Sequence, residues 1–232
     1  MRYLYEAGSL AGFIQQLACN YLPHGYHHFF LGTVPAGKDL ASVDAKLLDL
    51  YGIAVSPSER ARRKRAGSAN LHYLRFDRTF LLLATDGKHQ FFRDHRERIR
   101  DARRVPIRVG GYSVRLVRGG YLRRVSEGEP ALPDGKTRVR VQIDKDRYTE
   151  IKAYLLEMAT RWPTEEFEIA FRGISFEPYA PVRVQLGNLL RWVNRSRKAH
   201  GLAEVPKSAI RYQRRIVKPF ELSGSKSGPV AA

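Results

Sequence analysis

Two apolar runs, LHYLRF (71–76) and TFLLLAT (79–85), are separated only by Asp77-Arg78. β-like runs joined by two residues fold back on each other as an antiparallel hairpin, and the rest of the chain has to pack around it. Upstream, Ser9 caps a helix reaching about Tyr21, with Leu10, Phe13, Ile14 and Leu17 at helical spacing and Pro23 as its stop. GYHHFFLGTV (25–34) reads as a strand closed by the Pro35-Ala36-Gly37 turn. Asp39 opens a second helix, with Leu40, Val43, Leu47, Leu48 and Tyr51 on one face. Asp44 and Asp49 are expected on its solvated face, and Gly52 marks its exit.

Downstream, Asp86-Gly87 predicts a second turn, and residues 93–104, with six arginines, a helical segment. PIRVGGYSVRLVR (106–118) predicts a strand with a bulge or bend at Gly110-Gly111, and Gly119-Gly120 turns it into YLRRV. Apart from a short basic helix, the order so far is strand, helix, strand, strand, helix, strand. That is the connectivity of a ferredoxin-like or RRM-like sandwich, whose two helices leave one sheet face open. Ser126–Lys136 is rich in turn residues and has no apolar periodicity, so it predicts a linker. Beyond it TRVRVQID alternates, Asp144 caps an amphipathic helix on Tyr148, Ile151, Leu155 and Met158, and residues 181–201 carry a stripe of Val182, Leu186, Leu189, Leu190 and Val193. The expected fold class is α+β: a ferredoxin-like/RRM-like nucleic-acid-binding domain in 1–125, a linker at 126–136, an α-rich basic region at 137–222 and a disordered tail at 223–232.

Charge decides the partner. The chain carries 41 Lys+Arg against 23 Asp+Glu, a net +18, and between Arg60 and Arg124 the balance is 19 against 5. A concentrated positive field gathers polyanions, so nucleic acid is the expected partner. The single Cys19 excludes an internal disulfide and a cysteine metal cluster. No run approaches a membrane span and no signal-peptide core is seen, so an intracellular, cytoplasmic protein without a membrane partner is expected.

Ser56-Pro57-Ser58-Glu59 is a capping box with proline at the first helical position. It predicts a short helix ending at Gly67 that carries Arg60, Arg62, Arg63, Lys64 and Arg65, polar all round and ordered by its caps and an anionic partner. Basic residues then interleave with aromatics: Tyr73, Arg75, Arg78, Lys88, Arg100, Arg103, Arg104, Arg108, Tyr112, Arg115, Arg118 and Arg123. On an open sheet such rings stack splayed bases while the arginines hold phosphates. Arg195, Arg197, Arg211, Arg214 and Arg215 extend the basic surface in the C-terminal region. RNA is favoured over duplex DNA because no helix-turn-helix or zinc-finger signature is present, and a ribonucleoprotein component fits best, with a possible protein partner.

Catalytic signals are sparse. His27-His28 are adjacent, so on a strand they point to opposite faces and cannot share a metal. Asp77, Asp86 and Lys88 flank a hydrophobic strand, and the alternative function is a nuclease or mobile-element enzyme in which they hold Mg²⁺ against a phosphodiester. Outside that alternative no cofactor is expected: no phosphate-cradling glycine loop and no nucleophile-base-acid constellation occurs.

Overall fold

The computed structural model describes residues 3–119, 122–123, 130, 132–215 and 217–221. The architecture is mixed α+β, and no helix among the described residues is long and apolar enough to cross a membrane. Two compact units separate: the described residues of Met1–Ile107, Arg115–Val139 and Val217–Ala232 form one, and those of Arg108–Val114 and Arg140–Ile216 the other.

In the first unit, Ser9 accepts the Gly12 amide at 3.1 Å and starts α1 (Leu10–Gln15), which continues as a π-helical turn over Gln16–Tyr21. Gly25, with φ 94°, turns the chain into β1 (His28–Thr33). The Asp39 carboxylate accepts the Ser42 amide at 2.8 Å and opens α2 (Leu40–Leu50). After α3 (Pro57–Arg65) come β2 (Leu71–Phe76) and β3 (Thr79–Ala84), with Phe76 opposite Thr79 and Asp77 at φ 50°. This is the two-residue hairpin that the sequence requires. α4 (Phe91–Asp94) and β4 (Arg100–Asp101) complete a sheet of order β2-β3-β1-β4, all its pairs antiparallel. The helix expected over 93–104 is confined to α4: beyond it His95, Ile99 and Ala102 pack inward, while Arg100 and Asp101 extend to pair with Phe29 and His28 of β1.

One face of this sheet presents Phe30, Leu71, Tyr73, Phe80, Leu82 and Ala84 to Tyr51, Ile53, Phe91 and the apolar side of α2. Strand alternation turns Phe29, Leu74, Leu81 and Leu83 the other way, and these are buried too, as are Phe13, Ile14 and Leu17. β3 is thus covered on both sides, and the open sheet face expected from the sequence is absent there. Val217–Pro219 strap α1: Gln15 Nε2 donates to the Val217 carbonyl at 3.1 Å, and a Cβ added at Gly12 would lie 2.9 Å from Pro219.

Asp44 faces inward, against the expectation of a solvated position. It is fully buried, accepts the Tyr73 hydroxyl at 2.5 Å and receives Arg75 Nε at 3.0 Å on both oxygens. Arg75, 3% exposed, also meets Glu6 at 3.0 Å and donates to the Asp77 carbonyl at 2.8 Å. Burial and the Asp44 charge push the Tyr73 phenol far above its ordinary pKa.

β5 (Ile107–Val109) and β6 (Tyr112–Arg118) are joined by Gly110-Gly111 at φ 55° and 78°. Two successive left-handed residues make a tight hairpin turn, so the glycines end one strand and begin another instead of bulging a single one. Leu122–Arg123 (β7) pair with Leu132–Pro133 (β8), and Thr137–Ile143 form β9, which completes a sheet of order β5-β6-β9. Of the expected linker, 126–129 and 131 lie outside the described residues, and 132–133 form β8 instead of an unstructured link; the expected tail at 223–232 also lies outside the described residues.

The second unit is built on α5 (Lys145–Met158), α6 (Thr164–Gly173) and α7 (Ala180–Ala199). Phe167, Phe171, Val182, Leu186, Leu189, Leu190 and Val193 are buried there, and the α7 stripe is the one its spacing predicts. Arg197 is buried with them, donating to the carbonyls of Ala159 at 3.1 Å, Trp162 at 2.7 Å and Ala203 at 2.6 Å.

Candidate nucleic-acid interface

The basic helix α3 buries no residue, yet two of its arginines fasten it to the first unit. Arg60 donates to the carbonyls of Leu71 at 2.8 Å and Ile53 at 2.7 Å, and Arg63 to that of Gly52 at 2.9 Å. Asn70 Nδ2 returns a bond to the Arg60 carbonyl at 2.9 Å. Charge-assisted bonds of this kind are among the stronger polar contacts, so α3 is fixed without an anionic partner. Half of the capping box forms: Ser56 accepts the Glu59 amide at 3.2 Å, while the Glu59 carboxylate turns to Arg62 at 2.8 Å and Arg63 at 3.1 Å. Those guanidinium bonds hold the Glu59 pKa below its usual range. Arg62, Lys64 and Arg65 project into solvent.

Several residues expected to contact nucleic acid serve the fold instead. Tyr73 and Arg75 belong to the buried Asp44 cluster. Arg78 clamps the loop after β1, donating to the carbonyls of Val34 at 3.0 Å, Lys38 at 2.9 Å and Pro35. Tyr112 is 2% exposed and accepts the Glu177 amide at 2.7 Å, and burial pushes its hydroxyl up to about 12. Arg197 is buried, and Arg211 meets Glu177 at 2.9 Å. Buried rings and guanidinium groups can neither stack a base nor reach a phosphate, which corrects the expectation for Tyr73, Arg75, Tyr112 and Arg197, while Arg78 and Arg211 are half-buried and engaged in these bonds.

Others lie exposed at the surface. Lys88, Arg104, Arg115 and Arg118 are exposed with no ion pair among the described residues, as is Arg215. Arg100 bonds the Glu97 carbonyl at 2.6 Å, and Arg108 lies 3.4 Å from Asp144 and 3.6 Å from Asp146. The Arg195 and Arg214 guanidinium groups lie over the rings of Trp192 at 5.2 Å and Tyr179 at 4.7 Å. The Arg123 side chain lies outside the described part.

The proposed Mg²⁺ pair separates. Asp77 sits in the hairpin at one end of β3 and Asp86 beyond the other end, roughly 20 Å away at ~3.3 Å per residue. Among the described residues no three His, Cys, Asp or Glu side chains are placed to share a metal ion. Asp86 instead meets His28, whose Nε2 lies 2.8 Å from Oδ1, and Arg103 Nη2 lies 3.5 Å from the same oxygen. Arg103 also pairs with Asp101 at 2.8 Å, and Phe92 meets the His28 ring edge-on at 5.2 Å. The His28 bond and the Arg103 charge hold the Asp86 carboxyl below its ordinary range. On the adjacent His27, burial and Arg103 lower the imidazole pKa. A carboxylate that orients an imidazole beside an arginine can hold and move a proton. The sequence reading missed this pair because it depends on β1 lying beside β3 with His28 opposite Ala84.

No protein-family model matches the chain, and no curated protein matches it in sequence.

Proposed function

We propose that this chain is a nucleic-acid-binding protein that holds RNA through its phosphates, as a component of a cytoplasmic ribonucleoprotein. The observation that carries this reading is the anchorage of α3. Arg60 and Arg63 lock the helix to backbone carbonyls, and Arg62, Lys64 and Arg65 are thereby presented on a fixed frame. A preorganised cationic row loses little side-chain and loop freedom on binding, and arginine forks match phosphate oxygens. The base-stacking part of the expectation does not extend to Tyr73 and Tyr112, which are core. The finer reading of the fold as ferredoxin-like draws support from the strand order β2-β3-β1-β4.

Fluorescence anisotropy with labelled single-stranded RNA, RNA hairpins and duplex DNA between ~50 and ~200 mM salt tests the reading. RNA is expected to bind more tightly than duplex DNA, with affinity falling steeply as salt rises. Replacing Arg62, Lys64 and Arg65 together by glutamate should flatten the log–log salt slope by at least about 2, since each phosphate contact on a single strand contributes ~0.7. A flat salt response of the native protein, or a preference for duplex DNA, would overturn the proposal.

A further inference from the structure

The second unit carries an aromatic that the sequence reading left aside. α7 contains no Asp or Glu. On its outer side Asn188, Arg191, Trp192 and Arg195 fall at helical spacings of three and four and line one shallow depression. Trp192 is 41% exposed, while the opposite stripe of the helix is buried. Lys152 Nζ of α5 lies 4.1 Å from the indole centroid, and Arg195 approaches the same ring at 5.2 Å. Neither cation has a carboxylate partner among the described residues. Arg191 is turned by a hydrogen bond to Asn188 Oδ1. Arg191, Arg195, Lys198 and Lys207 line an adjoining depression in which Glu204 is the acid.

We infer that Trp192 is a stacking platform for an unpaired RNA base, with Lys152, Arg191 and Arg195 holding the flanking phosphates. The inference deepens the nucleic-acid reading and rests on it. An indole at the surface is useful where one π-face has to meet a ligand, and it is tolerated at a site that rejects sequence specificity because every base has such a face. Cation–π contacts fix the ring plane before the base arrives. The cations supply the complementary charge, so an acidic peptide lacking planar bases would gain only part of what the site offers.

The test uses the full chain with a short oligouridine and, as control, an RNA hairpin whose bases are paired. Trp192→Ala should weaken oligouridine binding roughly 10-fold, the range expected for losing one base–aromatic stack, and leave hairpin binding nearly unchanged. Trp192→Phe, which keeps a ring and guards against a folding defect, should fall between the two. Oligouridine should quench the tryptophan emission of the native protein. In Trp192→Phe, where Trp162 is the remaining indole, that quenching should vanish. If the native protein binds both RNAs and Trp192→Ala binds oligouridine equally well without any change in quenching, the platform is refuted and the phosphate-binding reading stands. If the native protein binds neither RNA at low salt, both fall together.

Discussion

Replacing Asp44 by alanine tests whether the first unit is held together by charge as well as by apolar packing. The carboxylate is fully buried, accepts the Tyr73 hydroxyl and shares the single Arg75 Nε–H between its two oxygens. Its loss leaves a guanidinium that is 3% exposed and a hydroxyl with no acceptor. Breaking one side of a buried ion pair costs ~3–5 kcal/mol, because the surviving charge stays desolvated. Glu6 at 3.0 Å and the Asp77 carbonyl at 2.8 Å still engage Arg75, which places the loss near ~3–4 kcal/mol. At ~2–4 °C per kcal/mol for a chain of this size, Tm should fall by roughly 6–16 °C. Thermal melting followed by circular dichroism measures the Tm, and urea titration the free energy. The double variant Asp44→Ala/Arg75→Met should be more stable than Asp44→Ala alone, since it removes the stranded charge as well. A single-variant loss below ~1 kcal/mol, or single losses that simply add in the double variant, would refute the reasoning.

Two further outcomes follow from the first unit. Gly87 sits at φ 133°, and a Cβ there would lie 2.6 Å from the Ala69 nitrogen and 2.7 Å from the Ser68 carbonyl carbon. Gly87→Ala should therefore lower stability by ~1–3 kcal/mol, and an unchanged urea midpoint would contradict this. His72 is half-buried against Tyr3, Tyr21 and Tyr26, and desolvation pulls its pKa down to about 3. It stays neutral in the fold while the unfolded chain protonates it near 6.5, so stability is complete above pH 6.5 and declines as pH falls from there toward 3. Between pH 7 and 5 that amounts to ~2 kcal/mol at 1.36 kcal/mol per unit, and His72→Phe should show a distinctly shallower acid limb than the native protein in urea titrations at the two pH values.

What the sequence made legible was local. The Ser9 and Asp39 caps, the Asp77-Arg78 hairpin and the α7 stripe are each set by residues within a turn or two of one another, and the structure has all four. The misreadings arose where a residue's partner is distant in sequence. Asp44 stands at Leu40 plus four and Leu47 minus three, so helical spacing alone put it on the apolar stripe. Charge outweighed position in that reading, because Arg75 lies 31 residues away on a strand whose place in the sheet was unknown. The His28–Asp86 pair spans 58 residues and follows only once β1 and β3 are neighbours. At 93–104 the arginines are compatible with helix in isolation, but Arg100 and Asp101 pair with β1, a partner distant in sequence that local spacing does not reveal.

The distribution of the arginines changes what their charge can do. Arg60, Arg78 and Arg197 donate chiefly to backbone carbonyls, which carry no formal charge to cancel theirs. Their positive field therefore persists although their guanidinium groups are no longer available for contact. Long-range field governs how fast a polyanion arrives, whereas only direct phosphate contacts release counterions and set the salt slope. The two measures should accordingly diverge for this protein. Association with RNA should be fast for a net charge of +18, while the number of phosphates inferred from the slope should fall well short of the 19 Lys+Arg between Arg60 and Arg124. Arginine built into the fold through carbonyls thus serves as structure and as field at once, and that dual use lets a chain this basic keep a packed core without a matching number of carboxylates.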